Sequence, residues 1–441
     1  MWREIMDDLK AWKERKLRQP LIIRGVRQCG KTYVMREFGR ECYRDVAYFN
    51  LESDRGARTA FEGDLDPEAV VDRLSMERGA RITEETLIIL DEIQCSPDAV
   101  TSLKYFAEDA PQYHVVCAGS LLGVTEIGSG GPVGKVDTLT LRPMDFHEWM
   151  VANGEEALWE GLSKDVWGLS QGLLDRLEAL YRTYLFVGGM PRAVSAWLET
   201  RDEGEVRLAQ EAILNWYSND FLGHAPGDAD KIYQIWHSIP AQLGTESGRF
   251  IFSHVRKSGR ARDLEGALTW LLRAGLVYKV PAAEKPSYPL GRCTDDTVFK
   301  LYMCDVGLMG AMEGVTRRSL AADGEAGGLY RGIAAETFAL TEMMSFLKAP
   351  PAYWREAGME VDFLIQHGEG VWPVEVKSGG RARARSLKEY IDRYGPERAF
   401  VLSLGPAGDG RVARIPVYAA SLIPRIAARC RRSPPRTGCT W

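Results

Sequence analysis

The stretch LIIRGVRQCGKTYVMREF, residues 21–38, decides how this chain folds. LIIR (21–24) is a short apolar run stopped by Gly25, the pattern of a strand buried on both faces. From Lys31 onward the pattern is helical. Between the two lie Gly25, Val26, Arg27, Gln28, Cys29, Gly30, Lys31 and Thr32, which fit G-x-x-x-x-G-K-[ST] in its required strand–loop–helix setting. The residue types have physical reasons. Gly25 and Gly30 let the backbone turn tightly, so that N–H groups point inward at phosphate oxygens. The helix start adds its positive end. Lys31 would neutralise the β- and γ-phosphates of ATP, and Thr32 would offer a hydroxyl to Mg²⁺.

Working outward, LIILDEIQ (87–94) supplies a second half to this site. Four apolar residues end in two carboxylates, at the strand edge where ligands sit in open α/β sheets. Asp91 is expected to hold Mg²⁺ and Glu92 to act as general base towards the attacking water. VAYFNLE (46–52), YHVVCAGS (113–120) and VDTLTL (136–141) read as further strands, with helical stretches between them such as 67–78 and 97–109. Strands alternating with helices imply an α/β fold with a mainly parallel, doubly wound sheet. Ser120, closing its strand, occupies a place where many ATPases put a polar residue near the γ-phosphate. Asn50 and Glu52 point to the same edge, or are ordinary turn caps.

Residues 143–225 read as helical, interrupted by Gly188-Gly-Met-Pro191. Three short helices and an apolar strand over 232–280 resemble a winged helix-turn-helix, with 281–299 as its wing or a loop. Arg256, Lys257, Arg260 and Arg262 lie before or within its third helix, suited to DNA phosphates. EGVTRRSLAADGEAGG (313–328) reads as a linker. A second α/β unit follows, in which Asp362, Glu375 and Lys377 fit D-x12-E-x-K. Residues i and i+2 of a strand share a face, so Glu375 and Lys377 project together, and Asp362 joins them if the two strands pair. Two carboxylates can hold Mg²⁺ and a lysine can position water, the chemistry of phosphodiester hydrolysis. Glu336, on the preceding helix, would add a third metal ligand. Short E-x-K patterns also arise on solvated strands.

With 441 residues, 45% of them hydrophobic, the chain is long enough for about three domains of roughly 150 residues and too apolar for global disorder. No apolar run approaches the roughly 20 residues that span a bilayer, and the polar start MWREIMDDLKAWKERK lacks a signal-peptide core. A cytoplasmic protein with no membrane contact is expected, its scattered cysteines reduced. The net charge of −5 is unevenly spread: residues 377–441 carry 14 Lys/Arg against 4 Asp/Glu, a net +10, which leaves −15 on residues 1–376. A basic end on an acidic body suits a polyanion. Arg381, Arg383 and Arg385 lie in that basic stretch.

LIIRGVRQCGKT, LIILDEIQ, AGSLLG (118–123), LRPMDFHEW (141–149) and GGMPRAV (188–194) together resemble a prokaryotic AAA+/STAND-type P-loop ATPase family, from about Arg24 to Ala420. Its members carry a C-terminal domain of unknown function with a PD-(D/E)xK nuclease-like fold, which Asp362, Glu375 and Lys377 match. The resemblance implies that Gly189 and Pro191, in a Gly-x-Pro turn, pack near the adenine. The expected organisation is a P-loop ATPase core (1–142), a helical lid (143–225), a winged-helix-like module (226–311), a restriction-endonuclease-like α/β domain (326–424) and a basic, disordered tail (425–441). The expected partners are ATP and DNA, the latter through the winged-helix-like and C-terminal basic surfaces, with oligomerisation left open. Nucleotide hydrolysis would be coupled to the nuclease-like domain. The alternative is a regulatory switch that uses this domain for protein contacts without cleavage.

Overall fold

In the computed structural model, residues 1–119, 134–225, 227–257, 259–321, 325–377, 385–405 and 407–430 are described. The chain divides into two units, Met1–Pro143 with Arg273–Gly275, and Met144–Leu272 with Leu276–Trp441.

In the first unit, β1 (Leu21–Arg24), β2 (Asp45–Asn50), β3 (Thr86–Asp91), β4 (His114–Ala118) and β5 (Asp137–Thr140) form one sheet in the order β2-β3-β4-β1-β5. Every neighbouring pair is parallel, as the strand–helix alternation leads one to expect. All six residues of β3 are buried, which is why TLIILD reads as a continuous rather than an alternating apolar run. The edge strand β5 alternates between half-buried and exposed positions. Phe49, Leu51, Phe61, Val70, Leu74, Ile88, Leu90, Leu103 and Phe106 fill one core, so the helices 67–78 and 97–109 cover the sheet with their apolar stripes. Asp66 and Ser96 cap these two helices, each followed by proline at the first helical position. β4 lies between β1 and β3. The C-terminal end of β4 at Ala118 therefore lies between those of β1 and β3, and Ser120 lies outside the described residues.

The second unit begins with helices at 146–152, 156–164, 171–187, 191–200 and 203–224, so 143–225 is helical as expected. Three further helices, 229–243, 252–255 and 261–273, precede β6 (Val277–Ala283) and β7 (Thr294–Met303). This is the helix and hairpin order of a winged helix, but the hairpin does not end in a free wing. β6 pairs with β7 on one side and, in parallel, with β8 (Ala352–Glu356) on the other. The sheet runs β12-β11-β10-β9-β8-β6-β7, with β9 at Met359–His367, β10 at Gly370–Lys377, β11 at Ala399–Ser403 and β12 at Val412–Pro416. The hairpin loop is held down as well. The carbonyl of Glu284 accepts from Trp354 and Tyr394, and the Leu290 amide donates to Gln366. The hairpin and the C-terminal α/β strands are therefore one sheet, not two modules divided at 311.

Two more expectations change. Beyond a turn and two irregular residues at 313–316, the described part of the Gly/Ala-rich stretch 313–328 is not an irregular linker but helix, at Arg317–Ala321 and at the start of Glu325–Met343. The tail begins as helix, Ile423–Cys430, in which Ile423, Ile426 and Ala427 are buried; residues 431–441 lie outside the description. In both places alanine and arginine favour helix once a tertiary surface accepts the apolar face. Among the described residues no helix is long and apolar enough to cross a membrane.

His114, at the start of β4, gives this architecture a pH signature. Its Nδ1 lies 2.6 Å from the Tyr43 hydroxyl. Burial, then Arg18 and Lys13, lower its pKa from 6.5 to about 4. Between those values the unfolded chain binds a proton that the folded one refuses, so stability falls as pH drops from about 6.5 through about 4. His114→Gln should remove that part of the acid loss. Melting curves across this range should show the wild type falling several degrees further than the variant, and parallel curves would exclude the assignment.

Candidate functional site: a phosphate loop and a buried carboxylate cluster

The phosphate loop connects β1 to the helix Lys31–Cys42. Gly30 caps that helix with φ +96°, a left-handed conformation that glycine adopts without strain. Gly25 is required by space: a Cβ there would lie 2.1 Å from the Leu141 carbonyl oxygen. Lys31 is buried, and its ammonium donates to the carbonyls of Gly25 (2.9 Å) and Val26 (3.0 Å). The lysine is thus already folded back over the loop whose amides would cradle phosphate.

Asp91 closes β3, where sequence placed it. Its Oδ2 accepts from the Thr32 hydroxyl at 2.6 Å and from the Tyr48 hydroxyl at 2.9 Å, while Oδ1 accepts from the Glu92 amide at 3.1 Å. A hydroxyl and a carboxylate oxygen brought together at the mouth of a phosphate loop are a donor set that fits a hard divalent cation. Glu92 has φ +52°, ψ +46°, an unusual conformation for a non-glycine residue that turns the chain sharply after the strand. Gln94 holds its Oε2 at 2.6 Å. Asn50 is a turn cap, its side-chain oxygen accepting from the amides of Glu52 and Ser53. The sequence reading missed Tyr48. It sits among β2 residues whose alternation could have marked it as facing Asp91, since Asn50 pairs with Asp91 in register.

Gly189 and Pro191 belong to the second unit, and contacts inside that unit account for the glycines. A Cβ on Gly189 would lie 2.0 Å from the Met144 carbonyl oxygen, and Gly188 has φ +74°. The Gly189 amide donates at 2.6 Å to Asp305, a fully buried carboxylate that also accepts from Leu308. Burial outweighs these amide donors and pushes the Asp305 carboxyl up to about 6.

The C-terminal motif residues are brought together. Val374 pairs with Phe363, so Glu375 and Asp362 stand one step further along antiparallel strands. Asp362 Oδ2 accepts from the Val376 amide at 2.7 Å, and Lys377 meets Glu375 Oε1 at 2.5 Å, as neighbours on one strand face should. Glu375 is only 4% exposed and its Oε2 is buried without a partner, an oxygen that a cation would satisfy. Burial, reinforced by Asp362 and relieved by Lys377, raises its carboxyl.

Glu336 stands differently from its expected role. It accepts from the Tyr302 hydroxyl at 2.8 Å and lies 3.9 Å from the Lys300 ammonium, which is itself 2.5 Å from Glu360. Among the described residues no three His, Cys, Asp or Glu side chains are gathered as ligands of one metal ion. The expected trio of Asp362, Glu375 and Glu336 is therefore not assembled: a fixed lysine and tyrosine from β7 claim Glu336 instead. Lys300, Tyr302 and Glu360 were not found from sequence. Lys300 and Tyr302 precede the motif by some sixty residues or more, and only the shared sheet brings β7 to it.

Lys300 is 3% exposed and faces Glu336, Glu360 and Asp362. Removing one partner of a buried ion pair leaves uncompensated charge and typically costs about 3–5 kcal/mol. Lys300→Met should therefore destabilise the second unit by about that much at pH 8. Burial already raises the carboxyls of Glu336 and Glu360. Without the ammonium they rise further above their unfolded values, so protonation recovers stability as pH falls. Denaturant titrations at pH 8 and pH 5.5 check this; an equal deficit at both would exclude it.

Residues 17–150 match the family model described as an AAA domain. Residues 178–319 and 331–419 match models described only as domains of unknown function (DUF8612 and DUF4143). No curated protein matches the chain. Among solved structures, a Walker-type ATPase of Pyrococcus abyssi is similar at 13% identity and TM-score 0.46, over 70% of this chain and 95% of that one. ORC1 of Aeropyrum pernix in complex with DNA is similar at 15% identity and TM-score 0.31, over 71% and 93%. AMPPCP-bound DnaA of Aquifex aeolicus is similar at 13% and 0.28, over 62% and 87%. The loop with Lys31 and Thr32, and Asp91 at the end of β3, all lie within the stretch 17–150 that matches the AAA domain model.

Proposed function

We propose that this protein is a magnesium-dependent ATPase whose nucleotide state governs a C-terminal, PD-(D/E)xK-like domain acting on DNA. For the first half, the carrying observation is the Thr32–Asp91 contact of 2.6 Å beside a glycine-shaped loop. Lys31 neutralises the β- and γ-phosphates, and the loop amides, Val26 to Thr32, orient them. Magnesium, held by Thr32 and Asp91, would supply further charge neutralisation at the phosphates. Glu92, with one oxygen fixed by Gln94, takes the proton of the water that attacks the γ-phosphate.

For the second half, support comes from the order helix 325–343, β8, β9, β10, helix 385–394, β11, which brings Asp362, Glu375 and Lys377 to neighbouring strand ends. Asp362 and the unpartnered oxygen of Glu375 would hold a divalent cation there, while Lys377 positions water or meets charge on the phosphate. Glu336 supports the site from behind through Tyr302. Lys257, Arg260 and Arg262 are exposed around the start of the helix 261–273 and suit DNA phosphates, as does Arg385 at the start of its helix. Arg381 and Arg383 lie outside the described residues.

A specific observation favours a second reading. Glu375 is paired with Lys377, and Glu336 and Glu360 with Lys300, so two lysines offset half the charge of the four carboxylates from within. A domain so paired could serve as a nucleotide-controlled contact surface without cleavage.

For the ATPase, Lys31→Ala should abolish measurable ATP binding in calorimetric titrations with the fold intact. Glu92→Gln should bind ATP yet turn over about 10²-fold more slowly or worse. Normal turnover in Glu92→Gln would reduce that residue to a turn-former. For the C-terminal site, the wild type should nick supercoiled DNA with Mg²⁺ or Mn²⁺, and Asp362→Asn and Glu375→Gln should not, while both still hydrolyse ATP. A wild type that never nicks DNA, with or without ATP, would decide for the contact-surface reading.

A further inference from the structure

The direction of one carbonyl in the phosphate loop has a consequence for binding. A peptide unit is planar and trans, so the C=O of Cys29 and the N–H of Gly30 point to opposite sides. For the Gly30 amide to face a phosphate, the Cys29 carbonyl must face away, and a carbonyl turned into the protein needs a donor. Arg3 supplies it. Its Nη1 donates to the Cys29 carbonyl at 2.9 Å and its Nη2 to the Arg142 carbonyl at 2.6 Å. Arg3 is 4% exposed, and the adjoining helix is anchored by Ile5, Met6, Leu9 and Trp12.

The residue before Arg142 holds the same loop from a second direction. The Leu141 carbonyl accepts from the Cys29 thiol at 3.5 Å and is the atom that leaves no room for a Cβ on Gly25. The guanidinium fork therefore ties the middle of the loop to the chain leaving β5. A lysine could reach one carbonyl but lacks the planar pair of donors that reaches two.

We propose that Arg3 is a positioning residue of the nucleotide site: without meeting the nucleotide, it fixes the Cys29–Gly30 peptide so that the Gly30 N–H is aimed at the phosphates. The test titrates the full-length chain with ATP and ADP, follows steady-state hydrolysis, and records melting without nucleotide. Arg3→Gln should weaken ATP and ADP about tenfold or more, the scale of a lost hydrogen bond to a charged group. It should raise KM for ATP more than it lowers kcat. Arg3→Lys should lose less. Leu9→Ala opens a cavity in the neighbouring helix without touching the loop; it should lower the melting temperature at least as far and leave ATP affinity unchanged. Wild-type ATP affinity in Arg3→Gln would overturn the proposal, and so would an equal loss in Leu9→Ala. Lys31→Ala, run alongside, separates the two levels: if it abolishes ATP binding while Arg3→Gln keeps wild-type affinity, the site stands and the role of Arg3 falls. Should Arg3→Gln not fold, Arg3→Lys against Leu9→Ala carries the same comparison.

Discussion

The Asp91 carboxylate receives hydrogen bonds from Thr32, at the first turn after the phosphate loop, from Tyr48 on β2, and from the backbone of Glu92. Three segments distant in sequence are fixed relative to one another through two oxygens. This geometry depends on the parallel sheet, because only strands running the same way deliver their C-terminal ends to one edge. β3 is buried along its whole length, so its position is set by apolar packing, and the carboxylate is carried to the edge as a consequence. The unusual backbone of Glu92, directly after it, turns the chain out of the sheet at that point.

The second unit follows a different electrostatic logic. Four carboxylates, Glu336, Glu360, Asp362 and Glu375, share a region with Lys300 and Lys377. Carboxylates this close and this buried repel one another and lose solvation, so each needs a cation or a donor. Lys377 comes from within the motif; Lys300 and Tyr302 come from β7, outside the segment 331–419 that carries it. The hairpin of β6 and β7 is thus part of the electrostatic design of the C-terminal sheet. Its loop is fastened to Gln366, Trp354 and Tyr394 for the same structural purpose.

Gly188 and Gly189 have a packing cause inside the second unit. The resemblance implies that the Gly-x-Pro turn of Gly189 and Pro191 packs near the adenine. Here Met144 and Asp305 are what a side chain on Gly189 or Gly188 would strike. Close approach of backbone to a neighbouring segment and close approach to a ligand leave the same signature in sequence.

Much of the first unit was legible in the sequence because its signals are local. Gly25 to Thr32 and Asp91-Glu92 combine fixed spacing with the strand and helix patterns on either side, and chain geometry alone places them at one sheet edge. Asp362, Glu375 and Lys377 were legible for a similar reason, since a two-residue strand period and a short hairpin bring them together. Arg3, Tyr48, Lys300, Tyr302 and Glu360 were not. Their roles come from contacts between residues far apart in the chain: Arg3 reaches carbonyls that any residue type could provide, and Lys300 meets Glu336 and Glu360 only because β6 joins β8. Local spacing determined which groups could bind nucleotide. The tertiary packing of β7 beside the motif decided which carboxylates a lysine neutralises, because a buried charge is matched by whatever the fold places next to it and not by its neighbours in sequence.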